Sequence, residues 1–245
     1  MNQDPSARRS FADLHTHSAA SFDSLSDPRK MMAKAVRLGL THLAITDHER
    51  VDGAQAAAEM APPGLQVIVG EEIKSRDGDI IGLFLREAIP PGLSAAETAA
   101  AIREQGGLVG LPHPFDSFRS SGGSQAGEAE QKLEVLAGII DYVEIHNARA
   151  YRDANPLAGA FAQRHGLPGT ASSDAHSITE LGVATTVLPG PFGTAEELRA
   201  LLPQAEIVPG RASYYVRLKT PLNKLVNPLR GNRRIRPETA GEVAS

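Results

Sequence analysis

The sequence predicts an α/β fold in which a largely parallel sheet closes, or nearly closes, into a barrel. Short runs rich in Val, Ile and Leu alternate with Ala-rich stretches of helical period along most of the chain, the pattern of repeated β-α units. About seven such runs recur, which favours closure over an open sheet. The length of 245 residues suits one barrel, and a 41% hydrophobic content with few aromatics and no Trp suits buried strands under Ala-rich helices.

In chain order the predicted strands are Phe11–His15, His42–Thr46, Leu65–Val69, Ile80–Leu85, Leu108–Leu111, Tyr142–Ile145 and Gly169–Ser172, with an eighth candidate at Val183–Leu188. Helix punctuation falls between them. Asp27-Pro28 offers an N-cap followed by proline at the first helical position, and Ser94 with Glu97 and Thr194 with Glu197 have capping-box spacing. Gly39 and Gly106-Gly107 supply the stops. The expected organisation is a flexible N-terminus over 1–10, a barrel over 11–216, and a basic tail over 217–245 that is disordered beyond Arg230. Within the barrel, the Gly- and Ser-rich stretch Ser117–Gly127 lacks periodicity and reads as a loop beside the site.

The net charge of −4 is unevenly spread, because Arg217–Ser245 carries seven Arg or Lys against two Glu. An acidic body argues against a large nucleic-acid footprint, while the tail leaves contact with a nucleic-acid end open and is expected to pack on its own barrel. Met1–Ser10 is polar, and no apolar run approaches the roughly 18 residues of a membrane span, so the expected location is the cytoplasm. With no cysteine, disulfides and thiolate metal sites are excluded, and any ion must be held by imidazole and carboxylate.

Candidates of that kind recur at one place in successive units. His15 and His17, Asp47 and His48, Glu71 and Glu72, His113, Glu144 and His146, and Asp174 and His176 all lie at or just past the C-terminal end of a predicted strand. Loops at that end of a β/α barrel converge on one mouth. Residues two apart on an extended segment share a face, so His15-Thr16-His17 can turn both imidazoles to one ion, and Asp174-Ala175-His176 repeats the spacing near the other end of the barrel.

Asp13-Leu14-His15-Thr16-His17-Ser18 with Asp23, then Ile45-Thr46-Asp47-His48, Gly70-Glu71-Glu72-Ile73, Leu111-Pro112-His113-Pro114 and Ser173-Asp174-Ala175-His176 resemble, in order, the motifs of the polymerase and histidinol phosphatase (PHP) family of phosphoesterases. The resemblance implies a distorted seven-stranded β/α, TIM-like barrel with two or three divalent ions of zinc, manganese or iron. By that match His15, His17, Glu72 and Asp174 hold a first ion, Glu72 bridges to a second held also by His113, and Asp23, His48 and His176 hold a third. Asp79 stands where many members have a histidine, and a carboxylate there would tilt the second site toward manganese or iron.

Asp23, within Ser21–Ser24, and Asp79, after Arg76-Asp77-Gly78, also read as turn residues. Glu71 is expected to point away from the site, solvated or paired, and Asp47 to orient a ligand or a loop. Glu144 and His146 share one face of a strand end, so His146 is also open as a ligand, although the resemblance places the weight on Glu144 and Asn147.

The implied reaction is phosphoester hydrolysis of small phosphomonoesters or nucleotides by a metal-bound hydroxide, since a water between two close ions loses its proton at neutral pH and no separate general base is needed. Arg119, Arg149, Lys74 and Asn147 are the candidates to contact substrate, the three cations by meeting charge on the phosphoryl oxygens. Amidohydrolase-type cleavage of C–N bonds and a non-catalytic metal-binding module are the alternatives.

Overall fold

A computed structural model describes residues 9–116, 133–151, 153–213, 219–230, 232 and 235. Among the described residues, nine strands form one sheet in the order β7-β6-β5-β4-β3-β2-β1-β8-β9. They are β1 Ser10–Asp13, β2 His42–Ile45, β3 Gln66–Lys74, β4 Asp79–Leu83, β5 Leu108–Leu111, β6 Tyr142–Asn147, β7 Gly169–Ser172, β8 Thr185–Leu188 and β9 Glu206–Val208. The helices are α1 Pro28–Leu38, α2 Asp52–Glu59, α3 Ala95–Glu104, α4 Ala154–His165, α5 Ala195–Leu201 and α6 Lys219–Val226.

The helix signals behave as their chemistry requires. The Asp27 carboxylate accepts from the Arg29 and Lys30 amides with Pro28 in the first turn, and Gly39 at φ 76° ends α1 in the left-handed conformation that glycine adopts without strain. Both capping boxes close, at Ser94 with Glu97 and at Thr194 with Glu197.

Strands β1-β2-β3 and β5-β6-β7 run parallel, so their C-terminal ends face one rim. β4 departs from the expected repeat. β3 continues past Val69 to Lys74, and Ser75 turns the chain back by donating its hydroxyl to the Gly78 carbonyl at 2.6 Å, so β4 pairs antiparallel with both β3 and β5. β8 is antiparallel to β1 and β9 to β8. Where the sequence predicts seven strands and an eighth candidate, nine stand among the described residues; the addition is β9, whose three residues, two of them exposed, carry no period.

The two ends of the sheet meet. Thr186 Oγ1 accepts from the Ala171 amide at 2.8 Å and donates to the Ala171 carbonyl at 2.9 Å, tying β8 to β7. At the rim, the Asp174 amide donates to His15 O and the His17 amide to Ala175 O, both at 2.9 Å. The result is a nearly closed barrel.

A cluster drawn from seven strands, including Ala12, Ala44, Ile68, Ile81, Leu108, Tyr142 and Leu188, packs on Phe192 and on Leu198 of α5, at the end where β1 begins. Two further clusters seat α1 and α2 on β2 and β3, and α3 and α4 on β4 to β6. A fully buried Ile45 or Phe161 contributes about 1.5–3 kcal/mol relative to exposure. The opposite rim is left for polar residues. Among the described residues, no helix is long and apolar enough to cross a membrane.

Candidate metal centre

The His15–His17 segment is pinned on both sides, which keeps it extended. Thr16 pairs with Ala175 across the seam, its hydroxyl donates to Ala44 O at 2.6 Å, and its carbonyl accepts from the Thr46 amide at 2.8 Å. Period two then turns both imidazoles to one side. His48 and Glu72 face each other across a bridge between the ends of β2 and β3. His113 (φ 27°) and Asp174 (φ 51°) hold left-handed backbone that costs a non-glycine residue about 1–3 kcal/mol, strain located where side chains must be aimed into the mouth.

Eight of the nine predicted ligands come together in three overlapping groups: His15, His17 and Glu72; His15, His113 and Asp174; and His17, Asp23, His48 and His176. His15 Nε2 lies 3.0 Å from His17 Nε2, 3.3 Å from Glu72 Oε2 and 3.6 Å from Asp174 Oδ1. His17 Nε2 lies 3.3 Å from Glu72 Oε2 and 3.4 Å from Asp174 Oδ1. Ligands about 2.0–2.1 Å from a tetrahedral zinc ion stand about 3.3–3.4 Å apart, so the His15, His17 and Glu72 spacings fit one ion, with Asp174 at similar range from both imidazoles. Glu72 Oε1 is 3.1 Å from His113 Nε2. Asp23 Oδ2 is 3.2 Å from both His48 Nε2 and His176 Nε2. Among the described residues His17 Nδ1 is buried without a hydrogen-bond partner, an orphaned donor-acceptor in a set composed only of nitrogen and oxygen ligands. The residues fit divalent cations.

Asp79 does not join them. Its carboxylate pairs with Lys74 Nζ at 2.9 Å, because the β3–β4 hairpin sets these two opposite each other two residues beyond the Glu72–Ile81 pair. The same contact occupies Lys74 away from the cluster. His146 also turns aside: a register irregularity between Glu144 and His146 breaks the shared face, and His146 Nε2 meets the Gly210 carbonyl at 2.8 Å. Glu144 points inward, 3.2 Å from His15 Nδ1, and accepts from the His113 amide and from Asn147 Nδ2 at 2.9 Å. Asn147 Nδ2 also reaches Asp174 Oδ2 at 3.2 Å. Arg149 is held by Glu180 at 2.6 Å and Thr220 at 2.9 Å, close enough to help depress Asp174. The whole stretch Ser117–Gly127, Arg119 included, lies outside the described residues.

Buried acids fix the loops that carry the ligands. Asp47 accepts from the amide and hydroxyl of Ser18, both at 2.6 Å. Asp13 accepts from the Ser173 amide and hydroxyl and from the Gly182 amide, yet burial still pushes it up to about 6. Glu71 faces the other way and is buried rather than solvated; burial lifts it to about 8 although the Ile89 amide donates to it. Glu180, which sequence reasoning missed, accepts from the His176 amide as well as from Arg149. Its spacing from Ser177, that of a capping box, was the available signal.

Burial alone would lower His17, but the hydrogen bonds it donates to the Asp174 and Glu72 carboxylates outweigh it and raise it to about 9. His113 rises against burial to about 10 through Glu72. Asp174 is driven far below the usual carboxylate range, against its own burial, by His15 and its neighbours. Raised histidines stabilise the ion-free fold fully below about pH 6.5, and that contribution is lost as pH climbs through about 9 to 10. The melting temperature in chelator should therefore fall across that interval; a flat profile contradicts the assignment.

Comparison with known proteins gives the same picture. The family model described as the PHP domain matches residues 13–137, and a second, described as PHP-associated, matches residues 152–206. An uncharacterized protein of Methanocaldococcus jannaschii is 36% identical over 148 residues, covering 56% of this chain and 81% of its own. The error-prone DNA polymerase of Cutibacterium acnes is 33% identical over 206 residues, 68% of this chain but 18% of that much longer protein.

Among solved structures, a two-domain protein from Bacteroides vulgatus containing a predicted PHP-like metal-dependent phosphoesterase superposes with a TM-score of 0.67 at 20% identity, covering 84% of this chain and 66% of that one. The lesion-specific endonuclease EndoQ of Pyrococcus furiosus gives 0.59 at 19%, over 82% and 58%. At such identities these two likenesses show the fold. Taken with a family model that spans about half of the sequence and covers the first four motifs of the mouth, they place the chain in the PHP domain family.

Proposed function

We propose that this chain is a metal-dependent phosphoesterase acting on small phosphomonoesters or nucleotides with two or three bound divalent ions. The observation that carries the reading is the approach of Glu72 Oε2 and Asp174 Oδ1 to the paired His15 Nε2 and His17 Nε2 at 3.3–3.6 Å, with Glu72 shared toward His113 and His48. Bound there, divalent ions supply Lewis acidity toward a phosphoryl oxygen and an acidified water. The first group is His15, His17, Glu72 and Asp174, the second uses Glu72 with His113, and the third uses Asp23, His48 and His176.

The rest of the work falls to the chain itself. Glu144 orients His15 through Nδ1, leaving Nε2 for the centre, as outer carboxylates do for ligating imidazoles. Asn147 ties Glu144 to Asp174 across the β6–β7 edge. Arg149, anchored by Glu180, presents a fixed cation beside Asp174. Arg119 remains the candidate for charge on the phosphoryl group. Its replacement by Ala should lower turnover by roughly one to three orders of magnitude, the weight of one transition-state contact, with ion content unchanged. Wild-type kinetics in that variant would remove it from the site.

Phosphate release from a panel of sugar phosphates, nucleotides and short oligonucleotides, run beside p-nitrophenyl and bis-p-nitrophenyl phosphate and a set of amides and lactams, tests the reading. Turnover of phosphomonoesters or nucleotides supports it. Hydrolysis confined to C–N bonds, or none with ions bound, overturns it.

A further inference from the structure

Asp23 sits in a loop with little backbone support of its own. Within residues 18–26 the Ala19 amide donates to Ser26 O and the Ser21 amide to Ser18 O. Side chains from elsewhere take up its carbonyls. Asn232 Nδ2 donates to Ala19 O at 2.6 Å and Arg50 Nη1 to Ala20 O at 3.0 Å. Asn227 Nδ2 donates to Ser21 O at 3.1 Å and Ser24 O at 2.9 Å, and Asn223 Nδ2 to Asp23 O at 3.1 Å. Two of these four donor residues, Asn223 and Asn227, belong to α6 and to the turn Asn227–Arg230 that follows it, and Asn232 lies just beyond.

The helix and the turn that follows it are amphipathic in an inverted sense. Asn223 and Asn227 are buried, at 6% and 0% exposure, while Leu222, Leu225 and Leu229 are 59%, 73% and 87% exposed. Burying an amide costs free energy unless it is hydrogen-bonded, so hydrophobic docking does not explain this orientation. Specific bonds to the loop do.

We infer that α6 is a clamp for the third ion site, with Asn223 and Asn227 as positioning residues that hold Asp23 against His48 and His176. Asp23 Oδ2 lies 3.2 Å from both imidazoles, and Ser21 Oγ donates to Oδ1 at 2.8 Å, so the whole loop has to stay in register for Asp23 to reach them. An ångström of drift takes the carboxylate out of range. Asn223 and Asn227 touch neither ion nor substrate; they act through the Asp23 backbone. The inference rests on the three-site reading above.

The test is calorimetric titration of Zn²⁺ into the full chain stripped by chelator, with ion content checked after dialysis, comparing wild type, His176→Ala and the double variant Asn223→Ala/Asn227→Ala. The double variant should take up its first two equivalents within twofold of wild-type affinity and the third at least tenfold more weakly, following His176→Ala. Three equivalents at wild-type affinity in the folded variant overturn the inference alone. A wild-type chain that binds only two overturns the three-site reading, and the inference with it. Should the double variant fail to show a cooperative thermal transition, Asn223→Ala, which gives up one bond to Asp23 O, is judged by the same split.

Discussion

Replacing Glu72 with alanine is expected to lower phosphoester turnover by about three orders of magnitude or more and to release at least two ions. Glu72 Oε2 stands 3.3 Å from His15 Nε2 and from His17 Nε2 and 3.4 Å from His48 Nδ1, while Oε1 meets His113 Nε2 at 3.1 Å. One carboxylate therefore serves four imidazoles. Bound ions contribute several kcal/mol of transition-state stabilisation, and each 1.4 kcal/mol or so is tenfold in rate. Steady-state kinetics on p-nitrophenyl phosphate and elemental analysis of the same preparation check both halves. Glu72→Gln keeps the shape and loses the charge, so it separates ion retention from packing. A Glu72→Ala protein with full ion content and wild-type turnover contradicts the arrangement.

Exhaustive chelation is the second large effect: activity should vanish and return on adding zinc or manganese, and the fold should weaken. An ion present at a hundredfold excess over its dissociation constant stabilises by about 2.7 kcal/mol, and for a chain of this size that corresponds to roughly 5–10 °C in melting temperature per site. The difference should widen with pH, because protons on His17 and His113 partly replace the ions at low pH and are lost as pH passes about 9 to 10. An equal melting temperature and rate with and without chelator contradicts ion binding at these residues.

The parts of this fold that are local were readable in the chain. Proline after an aspartate, a Ser-x-x-Glu box and a glycine stop mark helix ends by short-range chemistry, and α1, α3 and α5 begin where those signals stand. The His15/His17 pair was readable because two residues in an extended segment share a face whatever surrounds them.

Features that depend on pairing partners were not readable in this way. Asp79 belongs to a strand that returns antiparallel, and only the Lys74–Asp79 register shows that its carboxylate is taken. His146 has the right spacing from Glu144, but the irregularity in β6 cancels period two. The basic tail suggested packing on the barrel without saying where, since two asparagines four apart carry no hydrophobic period; their meaning comes from the carbonyls of the Asp23 loop.

The ions themselves are the most direct test. Anomalous X-ray scattering from crystals of the chain purified with its ions, recorded at the zinc, manganese and iron edges, should place a peak within coordination distance of His15 Nε2, His17 Nε2, Glu72 and Asp174, with further density between Glu72 and His113 and among Asp23, His48 and His176. Crystals of active protein with no anomalous peak beside His15 and His17 would contradict the account.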